Sequence, residues 1–372
     1  MSSVPSALSV PTEPTGPSAL SGLCRYPIVQ APMAGGASGP ELAAAVSEAG
    51  GLGFLAAGYK TADGMYQEIK QLRALTRQPF GVNLFMPHQA HADPAAVDVY
   101  QQQLAGESTW YETPLGDPDC GRDDGYEAKL AILRDDPVPL VSFTFGCPGK
   151  ATVAALRRAG TRTVVTVTSV DEAQAARLAG ADALCAQGIE AGGHQGTHRD
   201  DPALDGSGSG LLALIAQLRE TVPMPLIAAG GLMRGSQIAA VLAAGAEAAQ
   251  LGTAFLVCPE SGAHPLHKEA MTSPVFTRTA VTRAFTGRPA RALVNRFVSE
   301  HGAYAPAAYP EVHHITGGLR KAAAKASDAQ GMALWAGQGH RLARELPAAR
   351  LTELLAAETA AASASLTLRN PS

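Results

Sequence analysis

Cysteine is scarce in this 372-residue chain, and its spacing does not suggest pairing. Cys24, Cys120, Cys147, Cys185 and Cys258 are odd in number, scattered, and never spaced C-x-x-C. That pattern argues against a disulfide framework or a zinc site, and a reducing cytoplasm is the expected compartment. Aromatic residues make up only 5%, so the core must be built from small aliphatic side chains. There is no basic block and the net charge is −4, which argues against nucleic acid and anionic membrane surfaces as partners. No apolar run is long enough to span a bilayer. There is also no P-loop and no nucleophile elbow.

The chain does hold ample apolar content, 46% hydrophobic against 17% charged, enough for one large domain or two modest ones. Residues 1–21 are rich in Ser and Pro, without a basic start or an apolar core, and read as a disordered leader rather than a signal peptide. From Tyr26 onward short apolar runs alternate with amphipathic patterns. Strands are expected at 27–31, 52–55, 80–85, 140–145, 163–167, 183–186, 225–229 and 248–251. Helices are expected at 40–49, with Ser38 as cap, and at 63–75, 95–104, 150–158, 170–178, 211–221 and 236–244. Gly160, Gly180 and Gly245 each sit where a helix must stop before the next strand. Residues 106–136, with Pro, Gly and Asp around Trp110 and Tyr111, read as an insertion.

Eight strand–helix alternations over about 230 residues fit an α/β fold, a (β/α)8 TIM barrel. A doubly wound sheet would need a reversal of strand order that sequence does not decide. After Leu256 the rhythm changes. Residues 259–324 read as a smaller, mostly helical cap or substrate region. The barrel is expected over 22–258 plus 325–360, with 361–372 a fraying tail.

The densest signal is Gln187 through Gly196, which packs Gly188, Gly192, Gly193, Gly196, Gln187 and His194 behind the sixth strand. Glycines let a backbone approach a flat ligand, and His194 stands on the face where barrels carry out chemistry. Alone, a loop histidine is more often an ordinary surface residue. Spacing alone would allow His194 and His198 to share a metal, but the glycine-rich stretch gives no helical geometry and no carboxylate completes a set, so no metal is expected. Gly230-Gly231 follows the seventh strand and Gly252-Thr253 the eighth, the loops where barrels commonly hold a phosphate. Met33 after the first strand and Asn83 at the end of the third read either as ordinary packing or as cofactor contacts. Tyr304, Tyr309, His313 and His314 read equally as a packing patch or as pocket lining. Gly51-Leu52-Gly53-Phe54-Leu55-Ala56 matches G-x-G-x-x-A, but its glycines enter a strand instead of following one, so it is not a dinucleotide fingerprint.

Several segments together resemble the class I nitronate monooxygenases, once called 2-nitropropane dioxygenases. They are Val29–Met33, Gly81–Asn83, Gln187–Gly196, Ala228–Met233, Gln250–Phe255, Gly287–Ala292 and Leu334–Gly339. The resemblance covers roughly residues 22–345. It implies an FMN-dependent barrel with a helical cap that oxidises alkyl nitronates, or nitroalkanes, by O2 to carbonyl compounds and nitrite. A homodimer is compatible with it. It implies His194 as the active-site base or charge stabiliser, the latter as imidazolium. It places FMN against Ala31, Pro32, Met33, Asn83, Gln187, Gly192, Gly193, Gly230, Gly231, Gln250, Gly252, Thr253, Trp335 and Gln338. The strand-six motif also resembles FMN-dependent enoyl-acyl-carrier-protein reductases, which use NAD(P)H, and a quinone reductase is of the same kind. A flavin-binding protein without catalysis and a flavin-free barrel enzyme acting on a phosphorylated substrate are further alternatives.

Overall fold

A computed structural model describes residues 20–88, 92–204 and 208–368. Residues 1–19 of the expected leader and 369–372 of the expected tail lie outside the described residues. The strands are β1 (Ile28–Gln30), β2 (Gly53–Ala56), β3 (Phe80–Phe85), β4 (Leu140–Thr144), β5 (Arg162–Val167), β6 (Ala183–Gln187), β7 (Gly193–His194), β8 (Leu226–Ala229), β9 (Ala248–Leu251), β10 (Thr279–Thr282) and β11 (Ala290–Leu293).

Eight of them form one parallel sheet in the order β1-β9-β8-β6-β5-β4-β3-β2. A parallel bridge between Val29 and Leu52 joins its two ends. The sheet therefore closes, and the doubly wound alternative falls. The strands are buried on both faces, as their unbroken apolar runs require. Inside the barrel, Val29, Leu52, Phe54, Leu140, Val164, Cys185 and Ile227 pack together. Leu20 is buried in the same cluster, so the chain engages the barrel just before the expected end of the leader. No helix among the described residues is long and apolar enough to cross a membrane.

The glycines at helix ends behave as expected: Gly160, Gly180 and Gly245 all have positive φ. Gly53, from the rejected fingerprint, has a different task. A Cβ there would run into the backbone carbonyl of Ala43, where helix Pro40–Glu48 lies on β2. Backbone cannot retreat as a side-chain tip can. Gly53→Ala is expected to cost about 1–3 kcal/mol, read as a lowered urea midpoint with an unchanged slope.

Three elements differ from expectation. Ser38 caps nothing; Gly39 is the N-cap of Pro40–Glu48, with no side-chain cap bond. The 106–136 stretch holds two helices, Ala105–Trp110 and Tyr126–Asp135. The second presents Tyr126, Leu130 and Leu133 to Ile69, Leu72, Val82 and Val141, and so fills the place between β3 and β4 on the barrel's outer layer. The helix expected for that place, Pro94–Gln103, instead packs Val97 and Tyr100 against Phe285, Phe297, Val312 and Ile315 of the cap. The Tyr100 hydroxyl donates to the Ala284 carbonyl at 2.7 Å. Finally, the segment expected as a fraying tail is helical through Leu368, the last turns of helix Ala348–Leu368. That helix packs on Gly235–Ala243, and Glu358 accepts the Gly235 N–H at 2.9 Å.

The cap carries helices Pro265–Thr272, Arg296–His301 and Glu311–Lys325. It also carries a three-stranded sheet, β10-β11-β7, not foreseen from sequence. Its third strand is Gly193–His194, reached from the barrel by the glycine-rich loop.

Candidate active site

The carboxyl ends of the barrel strands open into a cavity of about 350 Å³, roofed by the cap. Twelve of the fourteen expected cofactor contacts line it: Ala31, Pro32, Met33, Gln187, Gly192, Gly193, Gly230, Gly231, Gln250, Gly252, Thr253 and Trp335; His194 lines it too. Two do not. Asn83 lies behind the wall, donating to Ser142 Oγ at 2.9 Å and Thr144 Oγ1 at 3.0 Å, and those two side chains line the cavity in its place. Gln338 is exposed, and among the described residues only its backbone N–H is engaged, to the Glu190 carbonyl at 3.0 Å.

Local hydrogen bonds shape each wall. Ser38 Oγ accepts the Met33 N–H and the Gln30 amide, each at 2.8 Å, which folds the 31–38 loop over β1. Gln187 spans its own loop: Nε2 donates to the His194 carbonyl at 3.0 Å and Oε1 accepts the Gly196 N–H at 2.7 Å. Arg291 donates to the Ile189 carbonyl from Nε at 3.1 Å and Nη2 at 2.9 Å. His198 is structural, with Nε2 on the Thr166 carbonyl at 2.9 Å.

Gly230 and Gly231 hold φ of 132° and 68°, where a side chain would be strained. Among the described residues their neighbourhood leaves the N–H groups of Gly231 and Leu232 without an acceptor. Thr253 Oγ1 accepts the Gly337 N–H at 2.9 Å, which leaves its hydroxyl hydrogen to donate. Free amide donors, a free hydroxyl and a backbone that admits close approach are what a phosphate monoester needs. A phosphate monoester fits this end of the cavity.

His194 is held from the cap. β7 pairs with β11 in the register Ala290↔His194 and Arg291↔Gly193. Its Nε2 lies 3.0 Å from Thr286 Oγ1, which itself lies 3.2 Å from the Arg288 carbonyl. With the Thr286 hydrogen on that carbonyl, Nε2 carries a hydrogen donated to Thr286, and Nδ1 keeps its lone pair. Phe145, Trp335 and Tyr309 wall the ring at centroid distances of 5.5, 5.5 and 6.0 Å. Burial, reinforced by the positive charges of Arg288 and Arg320, pushes the imidazole down to about 3. The protein alone therefore holds His194 neutral, and the imidazolium expected from sequence is disfavoured.

Several wall residues escaped the sequence reading. Tyr59 and Phe145 both adopt positive φ, 65° and 74°, which no residue pattern announces. Arg288 is 1% exposed and stacks on Phe145 at 4.1 Å. Of the aromatic–histidine cluster, Tyr309 and His313 turn inward, while Tyr304 is exposed and His314 reaches the Gly121 carbonyl. The polar run Ser142 and Thr144 at the end of β4 was a usable signal by the strand-end rule.

A sequence model of the family described as nitronate monooxygenase matches residues 17–358. The chain belongs to that family. It is 42% identical to a nitronate monooxygenase of Paraburkholderia phytofirmans, over 93% of this chain and 96% of the relative. It is equally identical to one of Pseudomonas aeruginosa, over 90% and 96%. Among solved structures, a nitroalkane oxidase of Streptomyces ansochromogenes superposes with a TM-score of 0.92 at 70% identity, covering 94% of this chain and all of that one. FabK of Thermotoga maritima superposes with a TM-score of 0.74 at 28% identity, covering 96% and 100%. The family resemblance carried by the seven segments thus holds, and the chain is an enzyme, an oxidoreductase. The likeness to FabK is the more distant of these two.

Proposed function

We propose that the cavity binds FMN and that the enzyme oxidises alkyl nitronates, and the neutral nitroalkanes they derive from, with O2 to carbonyl compounds and nitrite. The observation that carries this reading is the position of His194. The His194 imidazole, held neutral and walled by aromatic rings, lines the same cavity as the free Gly231 and Leu232 amides of the phosphate end. FMN supplies the electron acceptance when bound. The protein residues do the rest. Gly230, Gly231, Gly252 and Thr253 hold the phosphate. Phe145, Tyr309 and Trp335 exclude water. His194 Nδ1 takes the α-proton of a neutral nitroalkane, or donates to a nitronate oxygen once protonated. A bound anion would offset the two guanidiniums that depress the imidazole, so its basicity rises as the anion forms.

Anaerobic addition of ethyl nitronate to the yellow protein should bleach the flavin absorbance, and admitting air should restore it with release of nitrite. Bleaching by NADH and none by ethyl nitronate would mean that the reductase reading is correct.

A further inference from the structure

Arg320 has no task in the reading above. It stands on helix Glu311–Lys325, and its side chain lines the cavity. Its Nη2 donates to His313, to the carbonyl at 2.9 Å and to Nδ1 at 3.2 Å. Its Nε is buried without an acceptor, and among the described residues no carboxylate pairs with the guanidinium. A guanidinium carries five donors and stays charged, and burying one unpaired is costly. Arg288 does not relieve this. It is a second buried cation, bound to the Thr197 carbonyl and stacked on Phe145. The nearby acid, Asp200, pairs with Arg283 at 2.7 Å.

The surroundings hold Arg320 in place. His313, which accepts from it, stacks on Tyr59 with centroids 4.1 Å apart and planes 7° from parallel. The Tyr59 N–H donates to Asp124 Oδ1 at 2.8 Å, and Asp124 is bound to Lys129 at 2.6 Å. Tyr59 follows β2. The phosphate loops follow β8 and β9, which in the closed strand order lie three and two places from β2. Arg320 is thus tied through His313 to the β2 side of the cavity.

We propose that Arg320 is the oxyanion clamp of the substrate site. It binds the oxygens of the planar nitronate group, with His313 and Tyr59 as positioning residues, and so selects the anion over the neutral nitroalkane. The proposal rests on the nitronate-oxidising reading for its substrate. Its physical basis is independent: a planar guanidinium matches a planar pair of oxygens, and truncating one partner of a buried charge pair is expensive.

The test uses the FMN-loaded enzyme and its Arg320→Met and Arg320→Lys variants. In Arg320→Met the KM for ethyl nitronate should rise about 100-fold, while the KM for neutral nitroethane should move only a few-fold. Arg320→Lys should recover part of the loss. Nitrate, an unreactive planar oxyanion, gives a readout free of turnover. Its Kd, followed by perturbation of the flavin absorbance, should rise by a similar factor. An unchanged nitrate Kd, or equal changes for nitronate and nitroethane, overturns the proposal. Should Arg320→Met fail to retain FMN, Arg320→Gln takes the same measurements. If nitrate binds through Arg320 but wild-type enzyme does not oxidise nitronate, the functional reading fails and the clamp stands.

Discussion

Replacing His194 by Asn is expected to leave FMN bound and to cut turnover of neutral nitroethane by about 100- to 10,000-fold, the range that a positioned general base contributes. Asn can still reach toward Thr286 and keeps a polar group against the cavity, so the pocket should survive. It cannot accept a proton. The loss should therefore be much smaller on ethyl nitronate, where the α-proton is already gone. The contrast between the two substrates separates proton abstraction from a loss of packing, which would lower both alike. Because burial and two guanidiniums hold the imidazole at about 3 in the protein alone, it stays deprotonated down to that pH. The kcat/KM profile for nitroethane should therefore show no fall on acidification through pH 6.5, the region where an ordinary histidine titrates. Equal turnover of both substrates by wild type and His194→Asn would remove His194 from the chemistry.

Much of the barrel was legible in the sequence, because most strands are largely apolar runs buried on both faces and most barrel helices are followed within two residues by a glycine or proline. What was not legible is which core an amphipathic helix faces. Pro94–Gln103 and Tyr126–Asp135 both show helical spacing of apolar residues, yet one packs on the cap and the other on the barrel. Periodicity reports a face, not its partner. The Asp- and Gly-rich stretch 116–125 before the second helix also hid its start.

The same limit applies to the site. Gln187 could be placed from its position at a strand end, and Gln250 from the family resemblance. Arg288, Phe145 and Tyr59 could not, because their roles depend on a positive φ or on a cap segment folding back over the barrel. His194 shows both sides of this. Its position after β6 was readable, but its charge was not, since that follows first from burial in the folded site and then from guanidiniums 94 and 126 positions further along the chain. Nor did composition reveal that β7 would leave the barrel and join β11, although this pairing is what carries His194 into the cap sheet.

The phosphate end gives the other large effect. Gly230→Val is expected to raise the Kd for FMN by about 100-fold while the barrel stays folded. At a φ of 132° an L side chain is strained wherever it points. Here it would also press on the Gly188 carbonyl and the Ala191 N–H, at 3.3 and 3.4 Å. Gly188 in turn donates to the Ala229 carbonyl at 2.9 Å, so the loops after β6 and β8 share one contact and neither yields without the other. Relief must come from moving the 230–232 turn, which misdirects the amide donors of Gly231 and Leu232. Gly160→Ala is the control. Gly160 has a φ of 86°, nothing within 4 Å of the added Cβ, and a place at the end of helix Lys150–Arg158 away from the cavity. It should lose stability through the same kind of backbone strain and keep its affinity for FMN. The measurement is fluorescence quenching as FMN is titrated into deflavinated protein, with circular dichroism to confirm the fold. Wild-type affinity in Gly230→Val would show that the phosphate sits elsewhere, whereas loss of affinity in both variants would mean that strain alone, and not the shape of this turn, controls binding.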